Sequence, residues 1–257
     1  PIKSSAASDV YKRQKMGCFV AQAVQSREDC NVLFGVDAFG ESNYDFDVFK
    51  TFDEATETPD VIIDFSNPAA LDGMLSYAVD NKVPCVICTT GFSKDQIAKI
   101  EDAAKTIPVF YSGNMSLGIN LLIELSKEAA KILGNQFDIE IVEKHHNLKL
   151  DAPSGTALMI ADGISEQLDE DPQYVYDRHS YRRKRSKNEI GIHSVRGGTI
   201  VGEHEVIFAG HDEVVTISHQ AQSKEVFAVG AVNAAVFLKD QKAGMYNMGN
   251  LLSQKMN

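Results

Sequence analysis

The sequence predicts an α/β fold in which a doubly wound parallel sheet forms one domain and a mixed sheet forms a second, α+β domain. Two observations support this prediction. In the first half of the chain, short apolar segments alternate with helical segments, a pattern typical of parallel strands covered by helices on both faces. After Gly118, segments of alternating polar and apolar residues follow one another over short turns, which indicates antiparallel pairing.

The elements of the first domain are predicted from its apolar runs. Strands are expected at 32–36, 61–65, 86–88 and 109–111, and helices at 69–80 and 94–106. Ser93 and Gln96 have the spacing of a capping box at the start of the second helix. A doubly wound sheet is typical of nucleotide-binding proteins, so residues 1–115 are predicted to form a dinucleotide-binding domain. Its ligand is expected at the carboxyl ends of the strands.

The second domain is predicted to span residues 116–222. Its elements are a helix at 119–133, a strand at 137–143, a helix at 154–168, and strands at 190–195, 199–208 and 213–220. The last three strands are joined by Arg196-Gly197-Gly198 and by Gly210-His211-Asp212, so we expect two antiparallel hairpins. A final helix at 224–239 indicates that residues 223–257 return to the first domain.

Composition and charge narrow the possible partners. The 257 residues are 44% hydrophobic and 24% charged, which is ordinary for a globular protein. The 36 acidic and 25 basic side chains give a net charge of -11, which repels nucleic acid and anionic membranes, so we expect neither as a partner. No apolar run is long enough to span a bilayer, and the start lacks the apolar core of a signal peptide, so a cytoplasmic location is expected.

The four cysteines are too few for a disulfide framework in a chain of this length. Cys85 and Cys88 have the spacing of a redox or zinc motif, but they lie in an apolar strand segment. Residues three apart on a strand face opposite sides, so the two sulfurs diverge and we expect two buried, structural cysteines.

The segment 181–187 is a dense basic run, Tyr-Arg-Arg-Lys-Arg-Ser-Lys. It lies between a turn that contains proline and a predicted strand, in an acidic protein. We therefore expect a solvated loop, with local attraction of an anion as the alternative.

Residues 143–157 carry the most informative chemistry. They contain His145 and His146, then Lys149, then the turn Ser154-Gly155-Thr156 that can open a helix. Imidazole can deliver a proton near neutral pH, while a lysine and the N–H groups of a helix start attract carboxylates. The segment thus suits protonating and holding a small, multiply anionic substrate. Adjacent strand side chains point to opposite faces, which argues against a two-histidine metal site, and no metal is expected.

This segment resembles the signature of the dihydrodipicolinate reductase family. Further blocks resemble the family in the same order along the chain, namely Asp64-Phe65-Ser66-Asn67-Pro68, Thr89-Thr90-Gly91-Phe92, residues 114–120, residues 191–198, Gly202-Glu203-His204-Glu205 and residues 219–223. The resemblance implies hydride transfer from a reduced nicotinamide to an unsaturated cyclic dicarboxylate in diaminopimelate and lysine biosynthesis. It also implies a homotetramer built through the second domain, which would then serve substrate binding and oligomerisation.

The resemblance implies a role for each matching residue. His145 is the expected proton donor, with Lys149 as a second catalytic residue, and His146, Gly155 and Thr156 contact the substrate. The expected cofactor side comprises Lys15, Met16, Gly17, Asp37, Cys88, Thr89, Thr90, Ser112, Gly113, Asn114 and Met115. Asp37 ends an apolar run at the position that holds the adenosine ribose. Ala38 follows it in place of an arginine, so of NADH and NADPH we expect NADH to be preferred.

The N-terminus departs from the family pattern. Tyr11 and Gln14 occupy the first two glycine positions of the cofactor loop, and residues 4–10 do not have the pattern of a buried strand. Side chains there would obstruct the pyrophosphate, so we expect foreign sequence in about the first fourteen residues, with a divergent working loop as the alternative. Two alternative functions are kept. One is a non-catalytic relative that has an intact substrate pocket but binds the dinucleotide poorly. The other is a different nicotinamide oxidoreductase with the same first domain, which the His-His-Lys and Ser-Gly-Thr motifs make less favoured.

Overall fold

The computed structural model of the protein describes residues 2–8, 14–38 and 44–256. The chain divides into two compact units. The first unit comprises Pro1–Leu117 and Glu225–Asn257, and the second comprises Gly118–Lys224. Among the described residues, no helix combines the length and the apolar character that crossing a membrane requires.

The first part of the first unit alternates strands and helices. Its elements are β1 (Ile2–Ser8), α1 (Gln14–Gln25), β2 (Cys30–Val36), β3 (Val48–Phe49), β4 (Val61–Phe65), α2 (Leu71–Asn81), β5 (Cys85–Ile87), α3 (Lys94–Ala103) and β6 (Pro108–Tyr111). Helix α3 opens with the predicted capping box: the Ser93 side chain accepts from the Gln96 backbone, and the Gln96 side chain accepts from the Ser93 backbone.

The second unit has helices and one mixed sheet. Its elements are α4 (Leu117–Leu133), which begins at the unit boundary, β7 (Asp138–His145), α5 (Gly155–Ser165), β8 (Gln173–Val175), β9 (Glu189–Arg196), β10 (Gly202–Ala209) and β11 (Val214–Ala221). The strand order is β11-β10-β7-β9-β8. Strands β11, β10 and β7 pair antiparallel, whereas β7, β9 and β8 pair parallel, so the predicted mixed sheet is confirmed.

The chain then returns to the first unit with α6 (Glu225–Leu238), β12 (Gly244–Tyr246) and α7 (Met248–Met256). The strand order of this unit is β12-β6-β5-β4-β1-β2-β3, and every pairing in it is parallel. The strand order therefore reverses at β1 and β4, the arrangement of a doubly wound fold, as predicted.

Strand β1 corrects the expectation that residues 4–10 form no strand. Its backbone pairs with β2 on one side and with β4 on the other, so Ile2–Ser8 lies near the middle of the sheet. Backbone pairing from both neighbours can impose a strand on a segment of serine and alanine, whose own preference for strands is weak. Tyr11 lies outside the described residues, and Gln14 is the first residue of α1.

One predicted hairpin is wrong. Strands β10 and β11 pair antiparallel across Gly210, as expected, but β9 and β10 are not neighbours, because β7 lies between them. The Arg196-Gly197-Gly198 connection instead passes over the end of β7. The Gly197 N–H donates to the His145 carbonyl at 2.9 Å, and the Asn147 N–H donates to the Gly198 carbonyl at 3.2 Å.

Two apolar layers cover the faces of the first sheet. One contains α1 and α6 residues with Cys88, and the other contains α2 and α3 residues with Cys85, so the two cysteines face opposite sides, as predicted. Helix α6 packs closely because position 230 is a glycine: a Cβ there would lie 1.7 Å from the Met115 carbonyl oxygen.

The basic run at 181–187 is a loop whose residues are mostly exposed, as predicted, but Arg185 is an exception. The Arg185 side chain is only 16% exposed and pairs with Asp138 and Glu140, each at 2.9 Å. Arg183 pairs with the buried Glu189 at 3.2 Å. The sequence shows the positive charges of this run but does not show that strands β7 and β9 supply carboxylates beneath them.

Candidate active site

One face of β7 carries His145, the expected proton donor, at its carboxyl end. Ile139, Ile141, Glu143 and His145 share this face because strand side chains alternate, and the two isoleucines lie in the core of the second unit. At the carboxyl end of the strand the apolar pattern gives way to a carboxylate and an imidazole. Glu143 is 0% exposed and His145 is 9% exposed, so both groups require partners.

Glu143 joins three segments of the second unit. Its Oε2 lies 2.6 Å from His145 Nδ1 and accepts from Arg196 Nη1 at 2.8 Å. Its Oε1 accepts from Arg196 Nη2 at 2.7 Å and from the Ser154 backbone N–H at 3.1 Å. The fork-shaped contact with arginine is the strong, bidentate form of a carboxylate pair. Strands β7 and β9 and the start of α5 therefore meet at one carboxylate.

The protonation states of Glu143 and His145 follow from those contacts. Burial raises the pKa of Glu143, but hydrogen bonds from Arg196, Ser194 and His145 outweigh it and bring the pKa to about 2. Burial lowers the pKa of His145; Glu143 opposes this effect, and Lys149 and Arg196 add to it. An ionised Glu143 can only accept hydrogen bonds, so the neutral His145 imidazole carries its proton at Nδ1. The additional proton of the His145 imidazolium is at Nε2.

Helix α5 begins beside the same carboxylate. Ser154 is its N-cap, with Oγ accepting from the Ala157 backbone N–H at 3.1 Å. Gly155 and Thr156 are the first two helical residues, at the positive end of the helix dipole. The predicted helix start is confirmed, and an anion such as a carboxylate would be stabilised there.

A second buried histidine packs against the expected acid. His204 lies on β10 opposite Glu143, and its ring meets the His145 ring edge-on, with centroids 5.2 Å apart. Its Nε2 lies 3.1 Å from Ser154 Oγ. Burial, with smaller effects that include His145, lowers the pKa of His204 to about 4, so this imidazole is neutral near pH 7.

Lys149 and His146 lie in the loop between β7 and α5. The Lys149 ammonium pairs with Asp151 at 2.8 Å, and the Lys149 side chain is 23% exposed. The buried Nδ1 of His146 has no hydrogen-bond partner among the described residues. An unpaired buried nitrogen costs free energy, which a hydrogen bond with a ligand or with water would recover. The structure thus brings His145, Lys149 and the start of α5 together.

The expected cofactor residues occupy one edge of the first sheet. Asp37 follows β2, residues 88–90 follow β5, and residues 112–115 follow β6. These strands are parallel, so their carboxyl ends share an edge. Gly17 is buried in the first turns of α1, and the Lys15 side chain lies outside the described atoms.

The environments of these residues differ. Met16 packs against the core, and Cys88 and Met115 belong to it, so these three would offer a cofactor mainly their backbone. The buried Thr89 Oγ1 has no hydrogen-bond partner among the described residues, whereas Thr90 and Gly113 are exposed. Ser112 Oγ donates to the Asn114 carbonyl at 3.0 Å, and Asn114 Oδ1 accepts from the Ser116 N–H at 2.8 Å, which fixes the loop after β6.

A cavity of about 300 Å³ lies at the same edge of the first sheet. Its lining includes Ala38, Lys50, Phe52, Asn67 and Met74. Apolar walls with a few polar groups are typical of sites for an aromatic ring. A cavity of this kind at the carboxyl ends of the strands fits an aromatic ring of a nicotinamide cofactor.

The chain matches known sequences over most of its length. A family sequence model described as "Dihydrodipicolinate reductase, N-terminus" matches residues 13–115. A second, "Dihydrodipicolinate reductase, C-terminus", matches residues 118–252. The chain belongs to the dihydrodipicolinate reductase family. Residues 1–12, which depart from the expected pattern, lie outside both matches.

Relatives and solved structures agree with this family. The 4-hydroxy-tetrahydrodipicolinate reductase of Caldanaerobacter subterraneus subsp. tengcongensis is 54% identical, covering 93% of this chain and 95% of the relative. That of Clostridium tetani is 48% identical, covering 93% of each. The dipicolinate-bound dihydrodipicolinate reductase from Paenisporosarcina sp. TG-14 has 25% identity and a TM-score of 0.79, covering 97% of this chain and 98% of that one. The chain is accordingly an oxidoreductase of the dihydrodipicolinate reductase family.

Glu143 and Arg196 are residues of this site to which the motifs alone assign no role. A signal for Glu143 is present in the sequence, because it stands in phase with Ile139 and Ile141 on a strand. A charge at a core position requires a buried partner. The identity of that partner, Arg196, depends on the parallel pairing of β7 with β9, which the predicted hairpins did not include.

Proposed function

We propose that this chain reduces 4-hydroxy-tetrahydrodipicolinate to tetrahydrodipicolinate, in the pathway to diaminopimelate and lysine. The 4-hydroxyl group leaves as water to give the unsaturated dihydrodipicolinate ring, which then gains one hydride and one proton. The observation that carries the proposal is the buried contact between Glu143 and His145, placed beside the start of α5. It combines a proton donor of defined orientation with a site that attracts carboxylates. The named function of the relatives that cover most of the chain supports the same reaction.

In this proposal each residue of the second unit has a distinct task. Protonated His145 delivers the proton from Nε2 to the ring carbon next to the one that receives hydride. The substrate carboxylates are held by the Lys149 ammonium and by the N–H groups of Gly155 and Thr156. Lys149 also acts as a second proton donor. His146 contacts the substrate. These contacts neutralise the dianionic ring and fix its orientation, which lowers the barrier to reaction.

The first unit is proposed to hold the nicotinamide cofactor, which supplies the hydride when bound. Asp37 would contact the adenosine ribose, and the loops at 88–90 and 112–115 would line the nicotinamide side. We propose NADH as the preferred cofactor, since Ala38 offers no charge to a 2′-phosphate. Lys50 lines the same cavity as Ala38, so we expect NADPH to be accepted as well.

A non-catalytic relative is the less favoured alternative. It rests on the replaced glycine loop of the N-terminus. The first strand, which was also expected to be missing, is present as β1 in the sheet. Tyr11 and Gln14 still stand where the family has glycines. Calorimetry with NADH on the chain and on a Tyr11→Gly/Gln14→Gly variant separates the two cases: tight binding to both favours a working divergent loop, and binding only to the variant favours an impaired one.

We also propose a cytoplasmic homotetramer that associates through the second unit. The sheet face opposite Glu143 carries Val195 and Val214, which are 45% and 62% exposed. Apolar side chains on an uncovered sheet face favour association. Sedimentation equilibrium measures the mass in solution, and a monomer at micromolar concentration would contradict this assembly.

The reaction itself is tested by direct assay. Purified protein is mixed with NADH and freshly generated substrate, and NADH oxidation is followed by its absorbance. We expect turnover that dipicolinate inhibits competitively against the substrate. Oxidation of NADH with unrelated 2-oxo acids but not with the cyclic dicarboxylate would contradict the proposal.

A further inference from the structure

We infer that Glu143 is the positioning residue of this site, setting both the orientation of His145 and the place of the helix start that holds a substrate carboxylate. The inference rests on the proposed function, because it takes His145 as the proton donor. Glu143 itself is 0% exposed, so it acts through its neighbours and does not contact the substrate.

The first part of the argument concerns the His145 ring. A free imidazole can carry its single proton on either nitrogen and can flip between two similar orientations. Glu143 Oε2 lies 2.6 Å from Nδ1 and is an acceptor only, so the Nδ1–H form is selected. Nε2 then points away from the carboxylate, toward Gly202, where a Cβ would lie 3.1 Å from it. One orientation of the ring, with Nε2 as the reactive nitrogen, is therefore fixed.

The second part concerns the helix start. Glu143 Oε1 accepts from the Ser154 backbone N–H at 3.1 Å, one residue before Gly155. Arg196 reinforces this link, since its Nη2 donates both to Oε1 at 2.7 Å and to the Asp151 carbonyl at 2.6 Å. The two ends of the segment Asp151–Ser154 are thus attached to the same ion pair. A shift of the carboxylate would move the proton donor and the anion-binding end of α5 together.

The charged surroundings favour this role over a direct catalytic one. The groups that affect His145 are Glu143 on its own strand, Arg196 on β9 and Lys149 in the following loop, with neutral His204 packed against the ring. Glu143 is the group among these that stabilises the protonated imidazole. Because Arg196 holds it in the ionised form, Glu143 is a poor proton donor and remains an acceptor throughout the cycle.

The first experiment compares Glu143→Gln with His145→Gln, using Glu128→Gln on the exposed surface of α4 as the matched control. Glutamine places an NH₂ group against the Nδ1–H and Arg196 donors, so the ring loses its fixed orientation. We expect Glu143→Gln to lower kcat at least about tenfold, to move the limb of the pH profile that reports protonated His145 to lower pH, and to weaken dipicolinate binding in calorimetry. The control should change none of these.

The second experiment needs no substitution in Glu143. Long-range ¹H–¹⁵N spectra of the wild-type protein distinguish the two neutral forms of each histidine, and the His145→Gln spectrum identifies the His145 signals. We expect neutral His145 to be protonated at Nδ1. This measurement stands even if Glu143→Gln fails to fold, and an Nε2–H form in the wild type would overturn the inference.

The outcomes separate this inference from the proposed function. If His145→Gln retains full turnover, the proposed function of His145 is wrong, whatever Glu143 does. If His145→Gln is inactive while folded Glu143→Gln keeps the wild-type kcat, pH profile and dipicolinate affinity, only the positioning role is wrong. A lowered kcat without a change in the pH profile or dipicolinate affinity would also count against it, since a merely structural defect gives that result.

Discussion

His145 and Gly202 face each other across neighbouring strands, and the absence of a side chain on Gly202 leaves room for the reactive edge of the imidazole. A Cβ at position 202 would lie 3.1 Å from His145 Nε2 and 3.4 Å from Cδ2. Strands β7 and β10 are paired backbone to backbone, so neither can easily retreat. The ring would have to yield, at the expense of its contact with Glu143.

Gly202→Ala should therefore lower kcat while the fold is retained. We expect a loss of about tenfold, the order that a displaced catalytic group costs. Steady-state kinetics with a thermal melt checks it. Gly197→Ala is the matched control, because a Cβ there meets nothing within 4 Å. Equal kinetics for both variants would show that the space at Gly202 does not matter.

His145→Gln tests the proton donor. Glutamine cannot deliver a proton, so turnover should fall by about 10²- to 10⁴-fold, the usual contribution of a general acid. NADH affinity in calorimetry should be nearly unchanged, because His145 lies in the second unit and Asp37 and Thr89 in the first. Near-full activity of the variant would make the assignment of His145 wrong.

Lys149→Ala should change both binding and the pH profile. Loss of the ammonium weakens dipicolinate binding, and it also removes a cation that lowers the pKa of His145. The His145 pKa therefore rises, the protonated acid persists to higher pH, and the falling limb of the kcat profile moves to higher pH. A limb that moves to lower pH would contradict this sign. Lys131→Ala, on an exposed part of α4, serves as the control.

Arg196→Ala should destabilise the protein strongly. It leaves the carboxylate of Glu143 buried without its bidentate partner, which costs about 3–5 kcal/mol. By contrast, Lys131→Ala removes an exposed pair with Glu128 and should cost less than about 1 kcal/mol. Guanidinium unfolding measures both. Similar values for the two variants would show that the buried pair contributes no more than a surface pair.

The pair of Glu143 and Arg196 also makes the free energy of unfolding depend on pH. The pKa of Glu143 falls from its ordinary value of 4.5 to about 2 in the folded protein. A depressed pKa contributes stability that is complete above the unfolded value and is lost as the pH falls towards the folded one. We expect the free energy of unfolding to decline between about pH 4.5 and pH 2, and this decline to be smaller in Glu143→Gln.

Lys50→Ala tests the choice of cofactor. Lys50 lines the cavity after β2 beside Ala38, where it can contact a 2′-phosphate. The substitution should lower kcat/KM for NADPH by roughly fivefold, or about 1 kcal/mol, and leave the value for NADH unchanged. Lys94→Ala, an exposed lysine outside the cavity, is the control. Equal losses with both cofactors would remove Lys50 from this role.

The sequence predicts most of the fold because the pattern and the packing agree. The apolar strands β2, β4, β5 and β6, and the long helix α4, lie within a few residues of their predicted bounds. The exceptions are elements whose own residue pattern does not indicate how they pair in the sheet. Strand β1 is held by its neighbours, and β3, β8 and β12 have only two or three residues each, too few to show a period.

The site was predictable only in part for a similar reason. His145, Lys149 and the cap at Ser154 lie within one short segment, so the motif contains them. Arg196 reaches Glu143 from another strand, through a parallel register that sequence patterns do not specify. Long-range pairing of this kind needs the assembled sheet.

The division of the chain has a consequence for its synthesis. The second unit is one uninterrupted stretch, whereas the first is completed by α6 and β12 from the far end of the chain. A ribosome therefore finishes the second unit while the first still lacks a helix of its core and its edge strand. Residues 118–224 should fold early and alone, whereas a chain that stops before Glu225 should expose the apolar layer that α6 covers and aggregate.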